Sequence, residues 1–100
     1  MIHQEDIIHF LQENQDYFKS HFRITKIALF GSFARNEELE DSDIDLIVEF
    51  EENTKQLFEI KQELREFLGH EFQRKVDIAR EKYLKPSVKQ EILKEAITIE

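Results

Sequence analysis

Cysteine is absent from this 100-residue chain. Disulfides and thiolate metal sites are therefore excluded, and a reducing compartment such as the cytoplasm is compatible. Proline occurs once and glycine twice. Gly31 is read as the end of an apolar run, Gly69 as the end of a helix, and Pro86 as part of a helix's first turn. No apolar run approaches membrane-spanning length. The start, Met1-Ile2-His3-Gln4-Glu5-Asp6, lacks the basic-then-apolar pattern of a signal peptide. Internal repeats, low-complexity tracts and linkers are also missing. So is any basic excess: the net charge is −8. Glu37 to Glu52 holds nine carboxylates and no Lys or Arg, while the other 84 residues carry 13 acidic and 14 basic side chains. That distribution argues against non-specific nucleic-acid binding, which needs a basic surface. It does not argue against a nucleotide held through a metal.

What is present reads as one folded domain over residues 1–100 with a modest core, since 40% of residues are hydrophobic and 36% charged. The informative stretch runs from Phe30-Gly31-Ser32-Phe33-Ala34-Arg35-Asn36 to Asp41-Ser42-Asp43-Ile44-Asp45-Leu46-Ile47-Val48. Alternation puts Ile44, Leu46, Val48 and Phe50 on one strand face, fit for a core. Asp43, Asp45, Ile47 and Glu49 fall on the other. Two carboxylates so close repel, and ionising both is unfavourable unless a cation lies between them. The Gly-Ser turn suits the N-terminus of a small helix, whose free N–H groups take phosphate. A hard-cation site beside a phosphate cradle suggests nucleotide chemistry. A solvated loop accounts for Glu37, Glu38, Glu40, Glu51 and Glu52, but not for aspartates inside an alternating strand.

Gly31-Ser32, ten intervening residues and Asp43-x-Asp45 resemble the nucleotidyltransferases of the polymerase-beta superfamily. More narrowly, they resemble the minimal nucleotidyltransferase (MNT) domains of HEPN/MNT toxin–antitoxin pairs. The longer family pattern, Gly-Ser-x-Ala-Arg-Gly, is matched by Gly31, Ser32, Ala34 and Arg35. Phe33 stands where Arg is frequent and Asn36 where Gly is usual. The family has a further carboxylate on a later strand, and Asp77 in Lys75-Val76-Asp77-Ile78-Ala79-Arg80 fits it.

Along the chain, Glu5 to Ser20 reads as one helix with Ile7, Leu11, Asn14 and Phe18 on a stripe. His3, His9 and His21 show no metal-binding helical spacing. Ile24 to Phe30 is the first strand, and Ser32 caps a short helix through Asn36. Arg35 either lies near phosphates or pairs with the acidic loop. Phe33 in place of Arg removes a phosphate contact. Asp45 to Phe50 is the second strand. Asn53 and Gln56 offer a capping box for a helix with Leu57, Ile60, Leu64, Phe67 and Leu68 on one face, ending at Gly69, with His70 to Arg74 connecting. In the third strand, Lys75 to Arg80, Val76 and Ile78 face the core, so Asp77 faces the same way as Asp43 and Asp45 if the strands are neighbours. Glu81 to Lys85 is a loop. The last helix buries Val88, Ile92, Leu93, Ala96 and Ile97. The expected fold is α/β (α+β), a small mixed sheet of about three strands with helices on one face, in the order α-β-α-β-α-β-α.

The resemblance implies that Asp43, Asp45 and Asp77 hold Mg²⁺, two ions in all, with Asp77 also able to take a proton from the attacking hydroxyl. Gly31 and Ser32 face the donor phosphates, and Gly31 permits close backbone approach. ATP as donor also comes from the resemblance. Its implied acceptor is a tyrosine hydroxyl of a HEPN-domain ribonuclease toxin, silenced by AMP within a hetero-oligomeric complex, with no nucleic acid or membrane partner. Two other readings stay open: an antitoxin that neutralises by binding alone, and a transferase acting on a small-molecule hydroxyl.

Overall fold

The computed structural model describes residues 2–100. Helices α1 (Gln4–Glu13) and α2 (Gln15–Phe22) precede strands β1 (Ile24–Phe30) and β2 (Ile44–Phe50). Then come α3 (Leu57–Phe72), β3 (Val76–Ala79), a 3-10 turn over Glu81–Tyr83, α4 (Pro86–Glu95) and β4 (Ile97–Thr98). The sheet has the order β3-β2-β1-β4. β1 is antiparallel to both β2 and β4, and β2 is parallel to β3. The α/β class and the mixed sheet are as expected, with a fourth strand added among the described residues. A parallel pair needs a crossover, which α3 supplies.

The alternation in β2 is kept: Ile44, Leu46, Val48 and Phe50 are buried. They meet Ile7 and Leu11 of α1, Phe18 and Phe22 of α2, and Leu64, Leu68 and Phe72 of α3. In β1 both Ile24 and Ile27 are buried, which strict alternation forbids. A register break between Ile24 and Lys26 resolves this. The extra residue at Thr25 turns Ile24 back toward the core opposite Phe50, as a bulge does.

Several expected boundaries move. The first helix is two, broken at Asn14, whose side-chain amide and backbone N–H both donate to the Phe10 carbonyl. Such a side chain competes with the helical ladder. The 32–36 helix is instead one closed turn, with Arg35 N–H donating to Gly31 O at 3.2 Å and Glu37 N–H to Ser32 O at 2.9 Å. The Ser32 carbonyl, rather than its hydroxyl, closes it. Gln56, not Asn53, precedes α3, and both have left-handed φ. Gly69 does not stop α3. The helix continues through His70, Glu71 and Phe72 because Phe72 reaches the core, and Gln73 at φ 54° ends it. Glu81–Tyr83 is a 3-10 turn within the expected loop.

The last helix buries none of its residues fully: Val88 and Leu93 are exposed. Ile97 belongs to β4. Beyond it, Ile99 N–H donates to Ile27 O at 2.9 Å and its side chain is buried. The apolar period there is that of a strand, shorter than sequence windows resolve.

Candidate active site

Because β1 runs against β2 and β2 runs with β3, the C-terminal end of β1 meets the N-terminal ends of the other two. Gly31, Asp43, Asp45 and Asp77 are all brought to this corner. Register pairs Phe30 with Asp45 and Asp45 with Asp77, so the two aspartates are direct neighbours on adjacent strands. Val76 and Ile78 are buried on either side of Asp77 while Asp77 is exposed, so its side chain is on the face opposite the core. Asp43 lies one place before β2, in line with Lys75 before β3.

Gly31 has φ +78°, and a Cβ there would overlap Asp45 Oδ2 and lie 3.1 Å from Asp45 Cγ. Only glycine adopts this φ freely, and only glycine lets the Asp45 carboxylate lie this close to the turn. The turn itself is anchored from behind. Phe33 is fully buried, Gln4 Nε2 donates to the Phe33 and Ala34 carbonyls at 3.1 and 2.9 Å, and the Arg74 guanidinium stands 5.4 Å from the Phe33 ring. Phe33 therefore serves the core. Arg74 also donates to the Leu39 and Ser42 carbonyls, fixing the loop that delivers Asp43.

The electrostatics are those of crowded carboxylates. Burial, then the charges of Asp77 and Asp43, push the Asp45 carboxyl above its ordinary range, with Arg35 opposing. Lys75 Nζ lies 3.9 Å from both Asp43 Oδ2 and Asp77 Oδ1, an ammonium drawn between two of the three acids. An all-oxygen, charge-crowded donor set fits a hard cation such as Mg²⁺. Among the described residues no three acidic or histidine side chains yet stand close enough to ligate one ion, so the carboxylates would have to rotate toward it.

Arg35 makes two ion pairs. Its Nε donates to Glu37 Oε1 at 2.6 Å, the acidic-loop pairing, and its Nη1 to Glu95 Oε2 at 2.9 Å. These two carboxylates raise the Arg35 pKa. Glu95, at the end of α4, also accepts from Gly31 N–H at 3.1 Å. It is absent from the sequence reading. The strand that delivers it, β4, is two residues long, too short to leave a local signal in the sequence.

The nucleotidyltransferase domain family model matches residues 9–99. The chain belongs to that family. Within it, the domain is 37% identical over 93 residues to a candidate protein adenylyltransferase of Methanocaldococcus jannaschii, covering 88% of this chain and 93% of the relative. It is 32% identical over 99 residues to protein adenylyltransferase MntA of Thermococcus cleftensis, covering 99% and 98%. Among solved structures, a candidate minimal nucleotidyltransferase superposes with TM-score 0.77 at 31% identity, covering 96% and 95% of the two chains. A chain from the complex of tri-AMPylated Shewanella oneidensis HEPN toxin with MNT antitoxin superposes with TM-score 0.62 at 16% identity, covering 93% and 71%, a likeness of fold. The minimal nucleotidyltransferase resemblance read from Gly31-Ser32 and Asp43-x-Asp45 is thereby borne out. No described helix is long and apolar enough to cross a membrane.

Proposed function

We propose that this nucleotidyltransferase is the antitoxin of a HEPN ribonuclease toxin and acts by moving AMP from ATP to a tyrosine hydroxyl of that toxin. The observation that carries the reading is the register: Asp45 opposite Asp77 across a parallel pair, with Asp43 beside them and Gly31 against Asp45. Names borne by relatives, protein adenylyltransferase and MntA, support the reaction class. The HEPN-complex fold likeness supports the partner.

In this reading Asp43, Asp45 and Asp77 hold Mg²⁺, which supplies neutralisation of the triphosphate and of the leaving oxygen. Gly31 and Ser32 present backbone N–H groups to the β- and γ-phosphates, and Arg35 adds positive charge beside them. The tyrosine oxygen forms a bond to the α-phosphorus, the bond to the bridging oxygen breaks, and pyrophosphate leaves. Asp77, the most exposed of the three acids, takes the hydroxyl proton. Residues 1–100 act as a single domain, in the cytoplasm, and the toxin brings the acceptor surface.

Incubating the protein with labelled ATP, Mg²⁺ and the toxin encoded beside it tests this. Label on the toxin is expected, and an unlabelled toxin refutes transfer. One observation favours neutralisation by contact alone: Glu95 already fills the Gly31 cradle. Asp43→Asn combined with Asp45→Asn separates the readings, since an undiminished block of the toxin would identify a binding antitoxin.

A further inference from the structure

Glu95 meets the two donors that a triphosphate would need. Its Oε1 accepts from Gly31 N–H at 3.1 Å and its Oε2 from Arg35 Nη1 at 2.9 Å. Its side chain is mostly buried, 23% exposed. One backbone N–H and one guanidinium edge on two oxygens of one anion is also how proteins take phosphate. We infer that Glu95 is an internal counter-anion that occupies the donor-phosphate position in the nucleotide-free protein and must rotate out before a nucleoside triphosphate binds. The inference rests on the nucleotide-binding reading of Gly31 and Arg35.

Three features support displacement over a fixed role. The first is charge. The Glu95 carboxylate lies against Gly31 N–H and Arg35, so leaving it in place beside an incoming triphosphate would crowd like charges in one corner. The second is backbone geometry. β4 pairs Thr98 with Ala28 and Ile97 with Leu29, and counting on by two places in the same antiparallel register brings Glu95 to Gly31. The C-terminal segment is thus pinned at Ile97, and α4 is closed by Ala96 N–H on Ile92 O at 2.9 Å. Exit therefore takes only rotation about the side-chain torsions of glutamate. The third is the second hold on Arg35. Glu37 grips Nε at 2.6 Å, so when Glu95 leaves, the guanidinium stays beside the turn with its Nη1 edge free.

The test is calorimetric titration of wild type, Glu95→Ala and Glu95→Gln with ATP and Mg²⁺ at fixed salt, with a thermal melt of each protein. Removing the competing anion is expected to tighten binding about tenfold in Glu95→Ala. A smaller gain is expected in Glu95→Gln, which keeps the shape and one acceptor and serves if the alanine variant folds poorly. Weaker binding in the variants would make Glu95 a positioning residue for Arg35 and overturn the inference, as would an unchanged Kd in proteins that do bind. If wild type and both variants all fail to take up the triphosphate, the nucleotide reading itself falls and this inference with it. In the Glu95→Ala protein without nucleotide, the Gly31 amide resonance should also shift from its wild-type position. An unmoved resonance would mean that Glu95 does not occupy the cradle.

Discussion

Replacing Gly31 with alanine separates two constraints that meet at one atom. The backbone there has φ +78°, a conformation that costs an L side chain about 1–2 kcal/mol. The new methyl would also overlap Asp45 Oδ2. Relieving that by turning the Asp45 side chain off its rotamer costs about 0.5–1.5 kcal/mol. Alanine stiffens the unfolded chain and returns about 0.4–1 kcal/mol. The net loss is about 0.5–3 kcal/mol, which for a domain of this size lowers Tm by about 2–24 °C. AMP transfer should fall further than stability alone explains, because the displaced group is one of the proposed metal-holding acids. Measuring Tm for Gly31→Ala in the wild-type and Asp45→Ala backgrounds isolates the second constraint. With Asp45 shortened, the same glycine substitution should cost about 0.5–1.5 kcal/mol less. An equal cost in both backgrounds would show that Asp45 does not lie against Gly31, and an unchanged Tm in the single variant would refute both constraints.

The raised pKa of Asp45 gives a pH prediction. An acid whose folded pKa lies above its unfolded value near 3.8 binds its proton longer in the folded state. Its stabilising contribution is complete below the unfolded pKa and is lost as pH rises through the folded one. Without metal, Asp45→Asn should therefore melt higher than wild type at neutral pH, and the advantage should vanish in acid. A lower Tm for the variant at neutral pH would contradict the crowding described for this corner. Truncating Phe33 to alanine empties a fully buried site and should cost about 3–5 kcal/mol, read as a large fall in denaturant midpoint. A near-neutral result would contradict the burial of that side chain. The Asp43→Asn, Asp45→Asn protein should keep its circular dichroism spectrum while losing label transfer. Loss of the fold would mean that these acids are structural.

Much of the sheet was legible because period-two alternation in β2 and β3 leaves one assignment for each face. That parity puts Asp43, Asp45 and Asp77 on one face once the strands are neighbours, while Asp77 was singled out by the family resemblance. The bulge at Thr25 was not legible, since one extra residue leaves a continuous β-rich run unchanged in composition. Gly69 misled because a helix ends where its buried contacts end, and Phe72 still reaches the core. Asn53 and Gln56 matched a capping pattern, but both adopt left-handed φ, so the chain turns at Asn53 and α3 begins only after Gln56. Glu95 was hidden for a physical reason. Its position is set by the pairing of β4 with β1, distant in sequence, and β4 is two residues long. No local pattern of that length distinguishes a strand from the last turn of a helix.

The parallel pairing of Asp45 with Asp77 makes the spacing between α3 and β3 a silent control point. Deleting or inserting one residue among Gln73, Arg74 and Lys75 would leave every proposed catalytic group chemically intact. Yet if β3 shifted by that single step, Asp77 would be carried into the oily interior and an isoleucine or valine out to where the acid stood. Tolerance to length changes should therefore be lowest in this connection, and the polar bend at 51–56 is the better place to graft a tag.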